Sequence, residues 1–225
     1  MHNKYLKTFL LGILAGVAIG FGGLLYLCCL AYGHKIIGSI LFSFGLLLVT
    51  SVSLFLYTGK IGYVFSKDGP KPLDLLLGYI GNIVGASSLG IIMCVIPSIK
   101  GSPIAQNAYY ITASRDVLSS NGETWYNALL LSILCGVLVF VAVDVNKRKP
   151  GLIGTLILIL SVTAFVIAGF EHCIANSFYF FFGNNWSWGV VLNLLITTIG
   201  NSIGAILTYF IPHLALDKKE EKILN

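Results

Sequence analysis

Residues 80–86 read Ile80-Gly81-Asn82-Ile83-Val84-Gly85-Ala86, and residues 199–205 read Ile199-Gly200-Asn201-Ser202-Ile203-Gly204-Ala205. The two copies stand 119 residues apart in a chain of 225, each late in its own half and inside a long apolar run. A motif repeated between the halves of an apolar chain points to an internally duplicated membrane protein. In such proteins a functional axis lies between the halves, which makes a transport path the first expectation.

Composition agrees. Hydrophobic residues make up 56% of the chain and charged residues 10%, where a soluble domain carries about a quarter charged residues. The apolar residues come in uncharged runs of 18 or more, long enough to cross a hydrocarbon core of roughly 30 Å. Six spans are expected, at residues 8–32, 36–58, 73–97, 125–143, 151–182 and 187–212. The fifth is too long for one crossing and reads as interrupted. The first follows Lys4 and Lys7 as a signal peptide would, but its 25 uncharged residues exceed a signal core, so it reads as a retained helix. Cys28 follows Leu27, not the small residue a lipoprotein cleavage site needs. The expectation is a single membrane domain over residues 1–225: repeat one at 8–97, repeat two at 125–212, a loop at 98–124, and a charged cytoplasmic tail at 213–225.

The net charge of +5 raises the question of nucleic acid, and the distribution answers it. With the N-terminus inside, Lys4, Lys7, Lys60, Lys67, Lys71, Lys147, Arg148, Lys149, Lys218, Lys219 and Lys222 fall on the inner side. Lys35, Lys100 and Arg115 fall outside. That is the positive-inside bias, so both termini are expected in the cytoplasm and no nucleic-acid partner is needed. Cysteines 28, 29, 94, 135 and 173 are odd in number and lie in apolar segments, which fits neither a disulfide framework nor a metal site. No cofactor is expected.

Three spans per copy reverse the chain, so the second copy is expected upside down: an inverted 3+3 repeat of six transmembrane helices. Two interruptions fall at comparable places. One is Tyr57-Thr58-Gly59-Lys60, followed by the apolar stub Ile61–Phe65. The other is Gly169-Phe170-Glu171-His172-Cys173-Ile174-Ala175-Asn176. Broken second and fifth helices leave backbone groups that survive only inside protein or against water. Their half-helix N-termini carry partial positive charge and favour anions. Glycines at small-xxx-small spacing (12, 16 and 20; 81 and 85; 200 and 204) read as sites of close helix packing. Asn82, Asn201, Asn176 and Glu171 read as supports of the helix breaks.

Glu171 and His172 form an ionisable pair deep in a span, which marks function in a membrane. Neighbours on a helix point about 100° apart, so one of the two faces the path; His172 is assigned to it, with the reverse assignment open. An imidazole there can give a hydrogen bond or a proton to a small weak-acid anion. Thr58 can donate and accept from the opposite side.

Phe42-Ser43-Phe44-Gly45-Leu46, Leu56-Tyr57-Thr58-Gly59, the segment Gly169–Asn176 and Gly200-Asn201-x-x-Gly204 together resemble the formate/nitrite transporter family, over nearly the whole chain. The resemblance implies a homopentamer with one pore in each aquaporin-like protomer. It implies passage of formate, nitrite, hydrosulfide, acetate or lactate, with the proton as partner and membrane lipid around it. His172 matches the family's central pore histidine and Thr58 the threonine of the broken second helix. Leu46 and Leu56, with Val139, match the cytoplasmic apolar constriction. Phe42 and Phe165 match the periplasmic one, and Tyr57 stands where the family usually has phenylalanine. Two positions depart: the family's lysine before the fourth helix aligns with Ser120, and its asparagine after the cysteine in that helix aligns with Gly136. Arg115 lies nearby but out of register, so a weaker attraction for anions at the outer mouth is expected.

The resulting expectation is a channel or proton-coupled transporter for a small monovalent anion in the cell membrane, and not an enzyme. A channel for a neutral solute is the alternative, weakened by the lack of two Asn-Pro-Ala turns. An intramembrane enzyme would need an HExxH or a second buried histidine, and neither is present. A scaffold without flux would have little use for an ionisable pair at a helix break.

Overall fold

The computed structural model describes residues 2–215. The tail expected at residues 213–225 lies almost wholly outside the described residues, and Lys218, Lys219 and Lys222 lie there too. The described chain is helical: α1 (His2–Ala31), α2 (Lys35–Ser51), α3 (Tyr57–Lys60) with a 3₁₀ turn over Ile61–Tyr63, α4 (Pro72–Val95), α5 (Pro103–Ser114), α6 (Trp125–Arg148), α7 (Leu152–Ile167), α8 (Cys173–Gly183) and α9 (Trp188–Ala215). Four are long and apolar enough to cross a membrane, over Lys4–Ala31, Pro72–Val95, Trp125–Arg148 and Trp188–Ile211. The shorter apolar helices α2, α7 and α8 carry the rest.

The ends of α2 and α7 are built alike. Leu54 N–H donates to the Val49 carbonyl at 2.9 Å, and Phe170 N–H to the Phe165 carbonyl at 2.9 Å. The residue before each donor is left-handed: Ser53 at φ +56° and Gly169 at φ +74°. This is the Schellman ending, in which a positive-φ residue turns the chain and returns a donor to the last turn. Glycine meets that requirement freely. Serine does so at a cost of about 1–2 kcal/mol. Neither the Schellman ending at Ser53 nor its match to Gly169 was legible from the residue types.

The packing is also alike in the two halves of the chain. α1 lies along α4 and α2, as α6 lies along α9 and α7. The short helices cross over: α8 packs on α4 of the other half, and α3 with its 3₁₀ turn packs on α9. Bare backbone makes the close approaches possible. A Cβ on Gly85 would lie 2.0 Å from the Ile13 carbonyl oxygen, and one on Gly204 would lie 2.1 Å from the Ile133 carbonyl oxygen. Gly16 and Gly136 do the converse, with a Cβ 2.1 Å from the Asn82 oxygen and 2.3 Å from the Asn201 oxygen. Gly136 is therefore the counterpart of Gly16, a packing position with no room for the asparagine the resemblance implies.

Residues 98–124 are not simply a loop. Ser102 accepts from Ala105 N–H and Pro103 starts α5, a 12-residue helix laid against α8. The Ser-Pro start was readable as a helix signal. The low hydropathy of the segment drew it into the loop assignment instead.

Installing Asn at position 136 drives a side chain into the α9 backbone. Overpacking of this kind costs roughly 1–3 kcal/mol or more, so Gly136→Asn should lower the unfolding temperature and the yield of monodisperse detergent-extracted protein. Wild-type behaviour of that variant would mean that α6 and α9 are free to separate.

Candidate functional site

Where α2 and α7 stop, the chain runs extended for a few residues and then restarts as a short helix. In a membrane each backbone group freed there needs a partner within the protein. One asparagine serves each break. Asn82 Nδ2 donates to the Gly12 and Phe55 carbonyls, both at 2.8 Å, while its Oδ1 accepts from Tyr57 N–H at 2.8 Å. Asn201 Nδ2 donates to the Ser132 and Glu171 carbonyls, both at 2.8 Å, while its Oδ1 accepts from Cys173 N–H at 2.9 Å. Each amide thus ties a long helix, the end of a break and the first N–H of a short helix. The N–H groups expected to greet an anion are in part already occupied.

His172 is the N-cap of α8, at φ −109° and ψ 113°, and its Nδ1 accepts from Ala175 N–H at 3.2 Å. An accepting Nδ1 carries no proton, so the neutral ring carries its hydrogen on Nε2. Nε2 lies 3.0 Å from Thr58 Oγ1. The two side chains, 2% and 0% exposed, join the second break to α3.

Phe165 stacks on the His172 ring with centroids 6.0 Å apart, and Phe42 meets Phe165 edge-on at 5.7 Å. Leu46, Leu56 and Val139 are buried. Tyr57 points its hydroxyl at Ser202 Oγ, 2.8 Å away, and its ring packs edge-on against Tyr79 at 5.0 Å.

A cavity of about 350 Å³ reaches Phe42, Phe165 and His172 from the side of Arg115 and Glu123. Leu46, Leu56, Tyr57, Thr58 and Val139 are not part of its wall. The expected residues therefore fall into one group open to the cavity and one packed beyond it.

Glu171 turns away from His172. Its carboxylate pairs with Arg115 Nε at 2.5 Å and accepts from Asn176 Nδ2 at 2.6 Å. Arg115 also donates to Asn176 Oδ1 at 2.7 Å and lies over the Tyr179 ring. Asn193 links this cluster to Glu123, donating to Glu123 Oε1 at 3.0 Å and more loosely to Glu171 Oε2 at 3.4 Å. Glu123 also accepts from Asn127 Nδ2 at 3.0 Å. Burial pushes the Glu123 carboxyl up to about 7; the Glu171 carboxylate adds to the rise, while Arg115 and the two asparagine amides oppose it. Sequence reasoning missed Glu123 and Asn193, although an asparagine inside an apolar helix is itself a signal. The sequence places Arg115 as an outer charge; in the structure that charge is paired with Glu171. Among the described residues no three His, Cys, Asp or Glu side chains gather as metal ligands would.

The profile of the formate/nitrite transporter family matches residues 1–215. The chain belongs to that family. It is a multi-pass membrane protein of the formate/nitrite transporter group, similar to the formate channel FocA of Escherichia coli K12, with 29% identity over an alignment of 252 positions that covers 93% of this chain and 87% of that protein. FocA of Haemophilus influenzae is 27% identical over 192 residues, 79% of this chain and 66% of that protein, so the chain spans just under two thirds of its length. A pentameric formate channel with formate bound superposes with a TM-score of 0.81 at 25% identity, covering 95% of this chain and 97% of that one. An ion channel of the same family superposes with a TM-score of 0.77 at 19% identity, covering 95% and 91%, and shares the fold.

Removing one partner of a buried ion pair strands the other charge, at about 3–5 kcal/mol. Arg115→Met should therefore lower the unfolding temperature sharply, and Arg115→Met combined with Glu171→Gln should recover most of the loss. Additive losses in the double variant would show that the two charges do not depend on each other.

Proposed function

We propose that this chain passes small monovalent weak-acid anions of the formate and nitrite class across the cell membrane, through a pore in each subunit of a homopentamer. One observation carries the reading. Two polar side chains from two separate chain breaks, His172 and Thr58, meet in a hydrogen bond inside an apolar surround, with a cavity leading to the histidine from one side. Charged or polar groups at such depth are costly and mark a conduction path.

The protomer is read as one membrane domain of six segments, an inverted repeat whose second and fifth segments are the broken pairs α2–α3 and α7–α8. The matched Schellman endings and matched asparagines support this. Both termini lie in the cytoplasm, as the basic residues suggest, and the cavity then opens outward. Phe42 and Phe165 form the outer apolar ring; Leu46, Leu56 and Val139, with Tyr57 beside them, form the inner one. Exposed apolar faces such as Leu76, Ile80 and Ile92 on α4 are left for lipid or a neighbouring subunit.

The geometry favours hydrogen-bond donation by His172 over proton donation. A neutral ring holds one proton, on Nε2, and cannot give it up without becoming an imidazolate. An imidazolium would need a proton on Nδ1, the atom that caps α8. An entering anion would take the place of Thr58 Oγ1 at Nε2–H, and the Thr58 hydroxyl would add a second donor. Any proton that travels with the anion then comes from water in the vestibule.

Uptake of formate, nitrite and glycerol into proteoliposomes tests the reading; glycerol flux without anion flux would sink it. Losing a hydrogen bond to a charged permeant costs about 1.5–3 kcal/mol, so His172→Ala should cut formate flux roughly tenfold or more. That variant should also lose about 1 kcal/mol of stability with the helix cap. His172→Asn keeps a capping oxygen and should lose flux with less loss of stability. Unchanged flux in both variants would remove His172 from the path.

A further inference from the structure

The wall of the cavity holds an acidic group that the reading above leaves unused. Glu123 precedes α6, half-buried, and lines the same cavity as His172. Its carboxylate is held in place from two sides, by Asn127 of α6 and Asn193 of α9, each at 3.0 Å. Its charged and titratable neighbours across the cavity are Arg115 at the end of α5, Glu171 and His172 in the second break, Tyr26 of α1 and Tyr179 of α8. Asp116, in the same loop, is engaged by Leu118 N–H, Ser119 N–H and Ser187 Oγ and is not part of the cavity wall.

The charges at this mouth do not cancel. Arg115 is matched by Glu171 at 2.5 Å. An ionised Glu123 then leaves the mouth with one uncompensated negative charge, and a protonated Glu123 leaves it neutral. An anion entering a low-dielectric cleft feels that difference directly.

We propose that Glu123 is a specificity-determining residue of the outer vestibule, admitting anions when it is protonated and holding them back when it is ionised. The inference rests on the transport reading of the same cavity. It places a pH response at the mouth, apart from the central histidine, and in a direction that favours entry from an acidic exterior. The group titrates in the right range: burial beside Glu171 raises its carboxyl to about 7. A surface carboxylate, near 4.3, would stay ionised throughout.

The test is initial formate uptake by intact cells that lack other formate carriers, expressing wild type, Glu123→Gln or Glu123→Asp. The acid–anion balance of formate is the same for all three, so the ratio of variant to wild type isolates the mouth. For Glu123→Gln that ratio should stay near one at about pH 5.5 and rise roughly threefold to tenfold at about pH 8, the effect of removing one negative charge from a cleft. Glu123→Asp, which keeps the charge, should not show the rise. A ratio for Glu123→Gln that is flat with pH, with wild type active, overturns the role of Glu123 and leaves the transport reading standing. Wild-type uptake no greater than that of empty cells overturns both. If Glu123→Gln does not purify as a folded oligomer, infrared titration of the wild-type protein decides: a carboxyl group titrating near neutral pH supports the proposal, and none between about pH 6 and pH 8.5 overturns it.

Discussion

Everything in this protein's interior depends on two amide side chains that each satisfy three backbone groups. A chain broken inside a membrane exposes N–H and C=O groups that lipid cannot pair. Asn82 and Asn201 meet that demand from the middle of α4 and α9, each bonded to two carbonyls and one N–H. An asparagine suits the position because its head carries two donors and an acceptor in one plane. Their reach is short, so α1 and α6 must come close. Gly16 and Gly136, packed on the Asn82 and Asn201 backbone, allow that approach. The glycines and the asparagines are thus one device, used twice.

That device explains why so much of the fold was legible. The repeated Gly-Asn-x-x-Gly marked the two long helices, and the breaks announced themselves through Thr-Gly-Lys and Glu-His inside apolar runs. What was not legible depended on three-dimensional registration. Shifting Thr58 by the 119 residues of the long-helix repeat leads to Ser177, next to Asn176. The breaks themselves align at 116 residues, Ser53 with Gly169, and put Thr58 opposite Ile174. A change of loop length between helices shifts register without leaving a sequence signature. Likewise Arg115 and Glu171 are 56 positions apart, and only the fold of α5 against α8 brings them to 2.5 Å. Helix α5 itself was hidden by moderate hydropathy, although Ser102-Pro103 marked its start.

Arg115 also changes how the mouth is understood. Read from sequence, it is an outer positive charge near a missing lysine but out of its register. In the structure it neutralises a buried carboxylate and bonds to Asn176. Leaving Glu171 buried without it would cost about 3–5 kcal/mol. The cation therefore serves the fold first, and in the proposed pore the field at the mouth is left to Glu123.

The proposed chemistry sits where the two breaks are least alike. Placed in the 116-residue register of the breaks, His172 corresponds to Leu56, and Thr58 to Ile174. Both His172 and Leu56 are N-caps of short helices, in similar extended backbone, but Leu56 offers no capping atom. Each break offers the same two positions, and one of the two is polar in each: Thr58 in the first break and His172 in the second. A symmetric polar pair would place two imidazoles in one apolar enclosure, each opposing the other's protonation and each claiming the same permeant. One imidazole against one hydroxyl instead gives a pair in which Nε2–H donates to the Thr58 oxygen. In the proposed pore both would turn to an anion when one arrives. In the proposed pore, the buried leucine at the equivalent N-cap of the first break leaves that position apolar, and apolar surroundings keep out the water that would weaken such an exchange.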